Sequence, residues 1–253
     1  MCTVLLLHRP DADWPLLLAS NRDERLDRAF DPPGGWWPDA PGVIAWRDRI
    51  SGGSWLGFNE RGVVATVVNR LETLGPLAGK SSRGELIVRA LREADAWAAA
   101  DTVRLLPAAD YGGFTLLLAD RRAAFSVTND GTEMQVASLD PGYHMLTPEG
   151  CDVADAPRVA AVMADFRASP LPQPERADWD SWVHLLQRED RADPHRAMTV
   201  ITGRGFGTVA CTLVAVPAAG RPLLRYAPGP PTTTPFLTLE GPGFGEPASK
   251  GSR

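Results

Sequence analysis

The decapeptide LLLASNRDER, Leu16–Arg25, constrains the fold of this chain more than any other stretch. In it an apolar run with the character of a buried strand passes directly into Asn21, Arg22, Asp23 and Glu24. A turn would bring Gly, Pro or a single polar residue, so a charged cluster at the end of such a strand needs partners. Residues 2–8 form a second apolar run, and the polar segment RPDADW separates it from residues 15–20. The two runs read as an antiparallel hairpin. With the turn centred near residues 11 and 12, Cys2 falls opposite Asn21 to Asp23, and the charged cluster meets the start of the chain.

That meeting has chemical content. Methionine before a small residue such as Cys is commonly removed, and loss of Met1 would leave a free α-amine on the residue that carries the thiol. An α-amine titrates near about 8 and a thiol near about 8.5, so a modest shift lets the amine take the thiol proton at neutral pH. Asp23 is placed to orient the ammonium, Asn21 to hold the same residue, and Arg22 to favour a thiolate if it points inward. The same spacing also suits a solvated surface cluster, with Cys2 packed as a small hydrophobe.

Composition narrows the alternatives. A chain of 253 residues with 44% hydrophobic and 23% charged residues supports a packed core. The formal charge of −5 and the scattering of Arg among acids provide no basic field for nucleic acid. No apolar run approaches the roughly 20 residues of a membrane span, so a soluble, cytoplasmic chain is expected. Cys2, Cys151 and Cys211 make no disulfide framework, and His8, His144, His184 and His195 show no metal-ligand spacing. Neither a metal nor a cofactor is therefore assigned. GRGFGT, residues 203–208, lacks the Lys-Ser/Thr pair of a phosphate loop and leads into a strand, which makes it a turn.

Along the chain, DPPGGWWPDAPG (31–42) reads as an irregular loop. VIAW follows, and SWLGF and VVATVVN form a second hairpin through NERG. Residues 82–106 carry apolar spacing for one or two helices. Strands resume at 113–120, 123–129, 133–138 and 143–148. Asp155 is expected to cap a helix with Pro157 in its first turn and Val159, Val162, Met163 and Phe166 as its apolar stripe. A further helix covers 178–187, and strands at 208–216 and 222–227 precede a tail rich in Pro, Gly and Thr. This order lacks regular βαβ alternation. It predicts an α+β, four-layer αββα sandwich with two antiparallel sheets, as a single domain over residues 1–241 with a disordered tail at 242–253.

The motifs MCTVLLL, ASNRDER, GGSWLGFNERGVVATVVN, SSRGEL, YGGFTLLLAD and FGTVACTLVAV together resemble the NRDE family, which includes the transport and Golgi organisation protein 2 homologues. The likeness runs in order over residues 1–241. A further resemblance reaches the N-terminal-nucleophile hydrolases of the cholylglycine-hydrolase type, which begin Met-Cys and carry Asn and Asp at the end of the second strand. That resemblance implies Cys2 as nucleophile, Asp23 as holder of the amino group and Asn69 as donor to the oxyanion. It departs in three places. Ser20 stands where those hydrolases have an arginine, Thr147 and Pro148 stand where homologues have Ser-Asn, and Val209 follows Thr208 where homologues have an arginine.

Trp14, Trp36, Trp37, Trp46 and Trp55 crowd the first quarter of the chain, and Trp55, with Asn21 and Arg22, is a candidate for substrate binding. Two functions follow. One is hydrolysis or acyl transfer at an amide-like C–N bond by mature Cys2. The other, which the family resemblance suggests, is a non-catalytic carrier or chaperone for haem or a lipid-like acyl ligand. In both, the expected partner is a small molecule.

Overall fold

In the computed structural model, which describes residues 2–73, 75 and 77–239, the N-terminal hairpin is β1 (Thr3–His8) and β2 (Leu16–Arg25). Thr3 pairs with Asn21 and His8 with Leu16, so continuing the register by one residue sets Cys2 against Arg22. The chain then builds β3 (Phe30–Gly34), β4 (Val43–Asp48), β5 (Leu56–Asn59) and β6 (Val64–Asn69), followed by α1 (Gly84–Ala90) and α2 (Ala96–Arg104). A meander of β7 (Phe114–Ala119), β8 (Ala124–Asn129), β9 (Met134–Leu139), β10 (Gly142–Thr147) and β11 (Gly150–Cys151) leads to α3 (Pro157–Ala168) and α4 (Asp180–Leu186). The long β12 (Phe206–Val216), β13 (Leu223–Ala227) and the short β14 (Leu237–Thr238) complete the described chain. The expected disordered tail at 242–253 lies outside the described residues.

Two seven-stranded antiparallel sheets result, ordered β11-β10-β1-β2-β12-β13-β14 and β3-β4-β5-β6-β7-β8-β9. Side-chain alternation explains the unbroken apolar runs of the hairpin. Val4, Leu6, Leu16 and Leu18 face the second sheet, while Leu5, Leu7, Leu17 and Ala19 face α3 and α4. Both faces of the first sheet are therefore buried. The second sheet repeats the scheme, with Ala65, Leu116 and Leu118 against α1 and α2 and Val64, Val68 and Leu117 against the first sheet. Three apolar layers between four layers of structure make the αββα sandwich. No helix among the described residues is long and apolar enough to cross a membrane.

Several local expectations change. The β2 strand does not stop at Ser20. It continues through Arg25 because β12 pairs with it from Val216↔Leu16 to Phe206↔Arg25, with one irregularity between Thr208 and Ala210. The NRDE residues are thus inside a central strand, and Asn21, Arg22 and Asp23 are buried instead of solvated. Part of the Pro-rich stretch is also a strand: β3 holds Pro32 and Pro33 at the edge of its sheet, where a missing N–H breaks no ladder, and its register shifts between Asp31 and Gly34. The helix after Asp155 starts with Pro157, but Ala156 occupies the cap position and no side chain caps it.

Candidate active site

A cleft of about 370 Å³ opens where the C-terminal end of β2 meets the ends of β4 and β6 in the other sheet. Cys2, Arg22, Asp23, Trp55 and Asn69 all line it. Asn21 does not. Alternation along β2 turns its side chain to the helical side, where Nδ2 donates to the Leu186 and Met198 carbonyls at 3.0 and 2.9 Å. The assignment of Asn21 to substrate binding is thereby corrected: its amide ties the strand to the segments around α4.

Arg22 has the opposite parity and points between the sheets. Its Nη2 donates to Asp48 Oδ2 at 3.0 Å, and its guanidinium carbon lies 3.9 Å from the centroid of the Trp55 ring. Arg28 Nε donates to the same Asp48 oxygen at 2.5 Å, so one carboxylate orients two arginines. Burial pulls the Arg22 guanidinium below its ordinary value, and negative charge on Cys2 opposes that shift, ahead of Glu24 and Asp48. Arg22 therefore senses the Cys2 side chain electrostatically at the cleft.

Asp48 is held below its ordinary value of 3.8: burial raises it, but the hydrogen bonds from Arg28 and the Ser51 amide and the charge of Arg22 outweigh burial. The folded state thus binds the Asp48 proton less well than the unfolded chain does. Its contribution to stability is present above pH 3.8 and lost as pH falls through the lower folded value. Acid unfolding followed by tryptophan fluorescence is expected to show this loss below about pH 4, and Asp48→Asn is expected to flatten it.

Asp23 is buried with Oδ1 accepting from Thr208 Oγ1 at 2.6 Å, and Arg158 Nη1 lies 3.7 Å from Oδ2. Burial pushes its carboxyl up, and the charge of Arg158 and the Thr208 hydrogen bond pull it back. Arg158 comes from α3 and was absent from the sequence reading. The available signal was its position four residues before Val162, a charge on the buried stripe of an amphipathic helix. Thr208 Oγ1 also accepts from the Val200 amide at 2.9 Å. Thr208→Val is therefore expected to cost about 1–3 kcal/mol in urea denaturation, because it removes a hydrogen-bond partner from two buried groups at once.

Cys2 is half-buried against the inter-sheet core, with Sγ 3.9 Å from the Asp23 carbonyl oxygen. Asn69 is the last residue of β6 and shares the parity of Ala65 and Val67, which face the helices. At the end of the strand it nevertheless lines the cleft, across from the hairpin and not hydrogen-bonded beside it. Of the tryptophans, Trp46 is fully buried in the core. Trp14 Nε1 donates to Glu175, Trp36 lies under Arg47 and Trp37 packs against the second sheet's helical layer, which leaves Trp55 alone of the five on the cleft.

The junction of two motifs beside the cleft explains two glycines. The Ser54 amide donates to Gly84 O at 3.0 Å, and a Cβ on Gly53 would come within 2.4 Å of the Gly84 carbonyl carbon. The GGSW and SSRGEL motifs therefore meet backbone to backbone, and only glycine permits that approach. This contact fixes the start of α1 against Ser54 and Trp55.

Comparison with known proteins places this geometry. The structure is similar to a Caenorhabditis elegans N-acylethanolamine-hydrolyzing acid amidase ortholog at 12% identity and a TM-score of 0.54, covering 84% of this chain and 92% of that one. It is similar to a mutant conjugated bile acid hydrolase from Clostridium perfringens at 11% identity and a TM-score of 0.51, covering 96% and 97%. Penicillin V acylase from Agrobacterium tumefaciens aligns at 14% identity and a TM-score of 0.52, covering 94% and 86%. At such identities the likeness establishes the fold, that of the N-terminal-nucleophile hydrolases. No individually curated protein matches the sequence. The family model for Transport and Golgi organisation 2 matches residues 1–220. With NRDE built into the central strand that lines the cleft, this chain belongs to the Transport and Golgi organisation 2 family, the NRDE family.

Proposed function

We propose that this protein hydrolyses an amide-like C–N bond, or transfers its acyl group, with Cys2 as the nucleophile once Met1 has been removed. The observation that carries this reading is the convergence of Cys2, Arg22, Asp23 and Asn69 on one cleft from two different sheets. In the proposed cycle the α-amine of Cys2 takes the thiol proton and the thiolate attacks the carbonyl carbon. The Asn69 amide donates to the resulting oxyanion. The ammonium, held by Asp23, then gives its proton to the departing nitrogen as the C–N bond breaks. Water, or an acceptor amine or alcohol, releases the acyl group from Cys2 and restores the thiol. Arg22 favours the thiolate, and Trp55 holds Arg22 in place.

Intact-protein mass measurement of natively expressed material tests the first requirement, and loss of Met1 is the expected result. Incubation with an N-acylethanolamine, a conjugated bile acid and penicillin V, chosen from the structural neighbours, is expected to yield an acyl adduct on Cys2 from at least one. Retention of Met1 on active protein would overturn the mechanism.

A second reading, a non-catalytic carrier for haem or an acyl ligand, is favoured by the exposed apolar side chains on the lining of the same cleft. Ile50, 66% exposed, Leu77, 36% exposed, and Phe206 are among its lining residues. Stoichiometric ligand uptake with no adduct and no turnover supports that reading. Both readings take a small molecule in a cytoplasmic protein, in keeping with the cysteine content and charge.

A further inference from the structure

A second cluster of reactive side chains lies on the β10–β11 hairpin at the edge of the first sheet. His144 comes from β10, Cys151 ends β11 and Asp152 follows it. None of the three lines the cleft. We propose that His144, Cys151 and Asp152 form a binding site for a single zinc-like divalent ion.

Ligand atoms of the three residues all lie within 4.8 Å of one another. Around a tetrahedral ion with bonds of about 2.0–2.3 Å, neighbouring donors sit roughly 3.3–3.8 Å apart. Movement on the order of an ångström therefore completes the set. The second shell is already in place. His144 Nε2 lies 2.7 Å from the Asp140 carbonyl oxygen, the contact that leaves Nδ1 as the metal-facing nitrogen. Asp152 Oδ1 accepts from the Met145 amide at 2.8 Å, which leaves Oδ2, 2.6 Å from His144 Nδ1, to bind the ion.

The donor set of thiolate, imidazole and carboxylate selects zinc or cobalt over magnesium or calcium, which prefer all-oxygen cages. Three protein ligands leave a fourth position for water. Binding displaces the Cys151 thiol proton and the proton between His144 Nδ1 and Asp152 Oδ2. Up to two protons are released per ion, and no electron is transferred. The sequence carried no signal for the site, because six residues separate His144 from Cys151 and only the hairpin returns one to the other.

The test uses the untagged full chain, stripped with a chelator and titrated with Co²⁺. One equivalent is expected to give the near-ultraviolet sulfur-to-cobalt charge-transfer band, and Zn²⁺ is expected to abolish it by displacement. Cys151→Ser is expected to remove the band, and His144→Ala and Asp152→Asn to weaken Zn²⁺ binding at least about tenfold. Cys2→Ser is expected to retain the band, which keeps this site separable from the cleft and from the proposed hydrolase. Absence of the sulfur band, its survival in Cys151→Ser, or unchanged zinc affinity in folded His144→Ala or Asp152→Asn would overturn the proposal. Near-ultraviolet circular dichroism of each variant distinguishes a lost ligand from a lost fold, and whichever of the last two variants folds decides.

Discussion

Iodoacetamide at neutral pH is expected to alkylate Cys2 faster than Cys151 or Cys211, by roughly tenfold to a hundredfold or more, because the thiolate is the nucleophile and both competitors have theirs suppressed. Burial pushes the Cys151 thiol up to about 12 from an ordinary 9.0, with the Asp152 charge adding to the effect. That shift alone lowers its thiolate population by about three powers of ten. Cys211 is raised well above its ordinary value by nearly complete burial and then by the charge of Asp23. Cys2 instead sits half-buried on the cleft wall, where Arg22 feels its charge. Peptide mapping after timed alkylation measures all three rates in one sample.

The same assay separates chemistry from architecture in the NRDE segment. Asp23→Ala is a poor probe, since Asp23 is buried facing Arg158 and its loss disturbs the interior. Asp23→Asn preserves shape, and it is expected to slow Cys2 labelling while the other two cysteines keep their rates. Equal Cys2 labelling in wild type and Asp23→Asn would mean that the segment serves the fold, and the catalytic assignment would fall with it.

Trp46→Ala is expected to cost about 3–5 kcal/mol, the range for deleting a large aromatic from a closed core. Trp46 belongs to the second sheet, is 0% exposed and stacks on Trp55 with ring centroids 5.1 Å apart. Its edge contact with Tyr226, at 5.5 Å, and its Nε1 hydrogen bond to Thr212 Oγ1, at 2.9 Å, both reach the first sheet. The side chain thus joins the sheets by area and by one directional bond. Thr212→Val removes only that bond and is expected to cost about 1 kcal/mol. Urea denaturation checks both values. A loss below about 1 kcal/mol for Trp46→Ala would mean that the inter-sheet core is not organised around this ring.

Much of the fold was legible because its cause is local. The runs at residues 2–8 and 15–20 had no polar alternation, which is the pattern of strands covered on both faces. The helical spacing at 82–106 resolved into α1 and α2, with Asp95 capping α2 through a 2.8 Å bond from the Ala98 amide. Edge and end effects were harder to read. Pro32 and Pro33 argued for a loop, and only the position of β3 at a sheet edge lets them belong to a strand.

The site divides along the same line. The sequence by itself determined that Cys2 meets the NRDE segment, because hairpin register is a local property of turn length and strand pattern. That Arg22 and Asp23 belong to opposite faces followed only once β2 was seen to run through Arg25, because strand alternation has a period of two. Which face is the cleft was decided only by the tertiary structure. The pairing of β12 with the whole of β2 kept the NRDE residues in a strand and buried them. The second sheet then brought Asp48, Trp55 and Asn69 to one side, and α3 brought Arg158 to the other. Asp48 lies 26 residues from Arg22, and Arg158 lies 135 residues from Asp23. A cation on a distant helix and a ring on a distant loop leave no periodic trace in the strand they complete, so their arrival is a fact of packing.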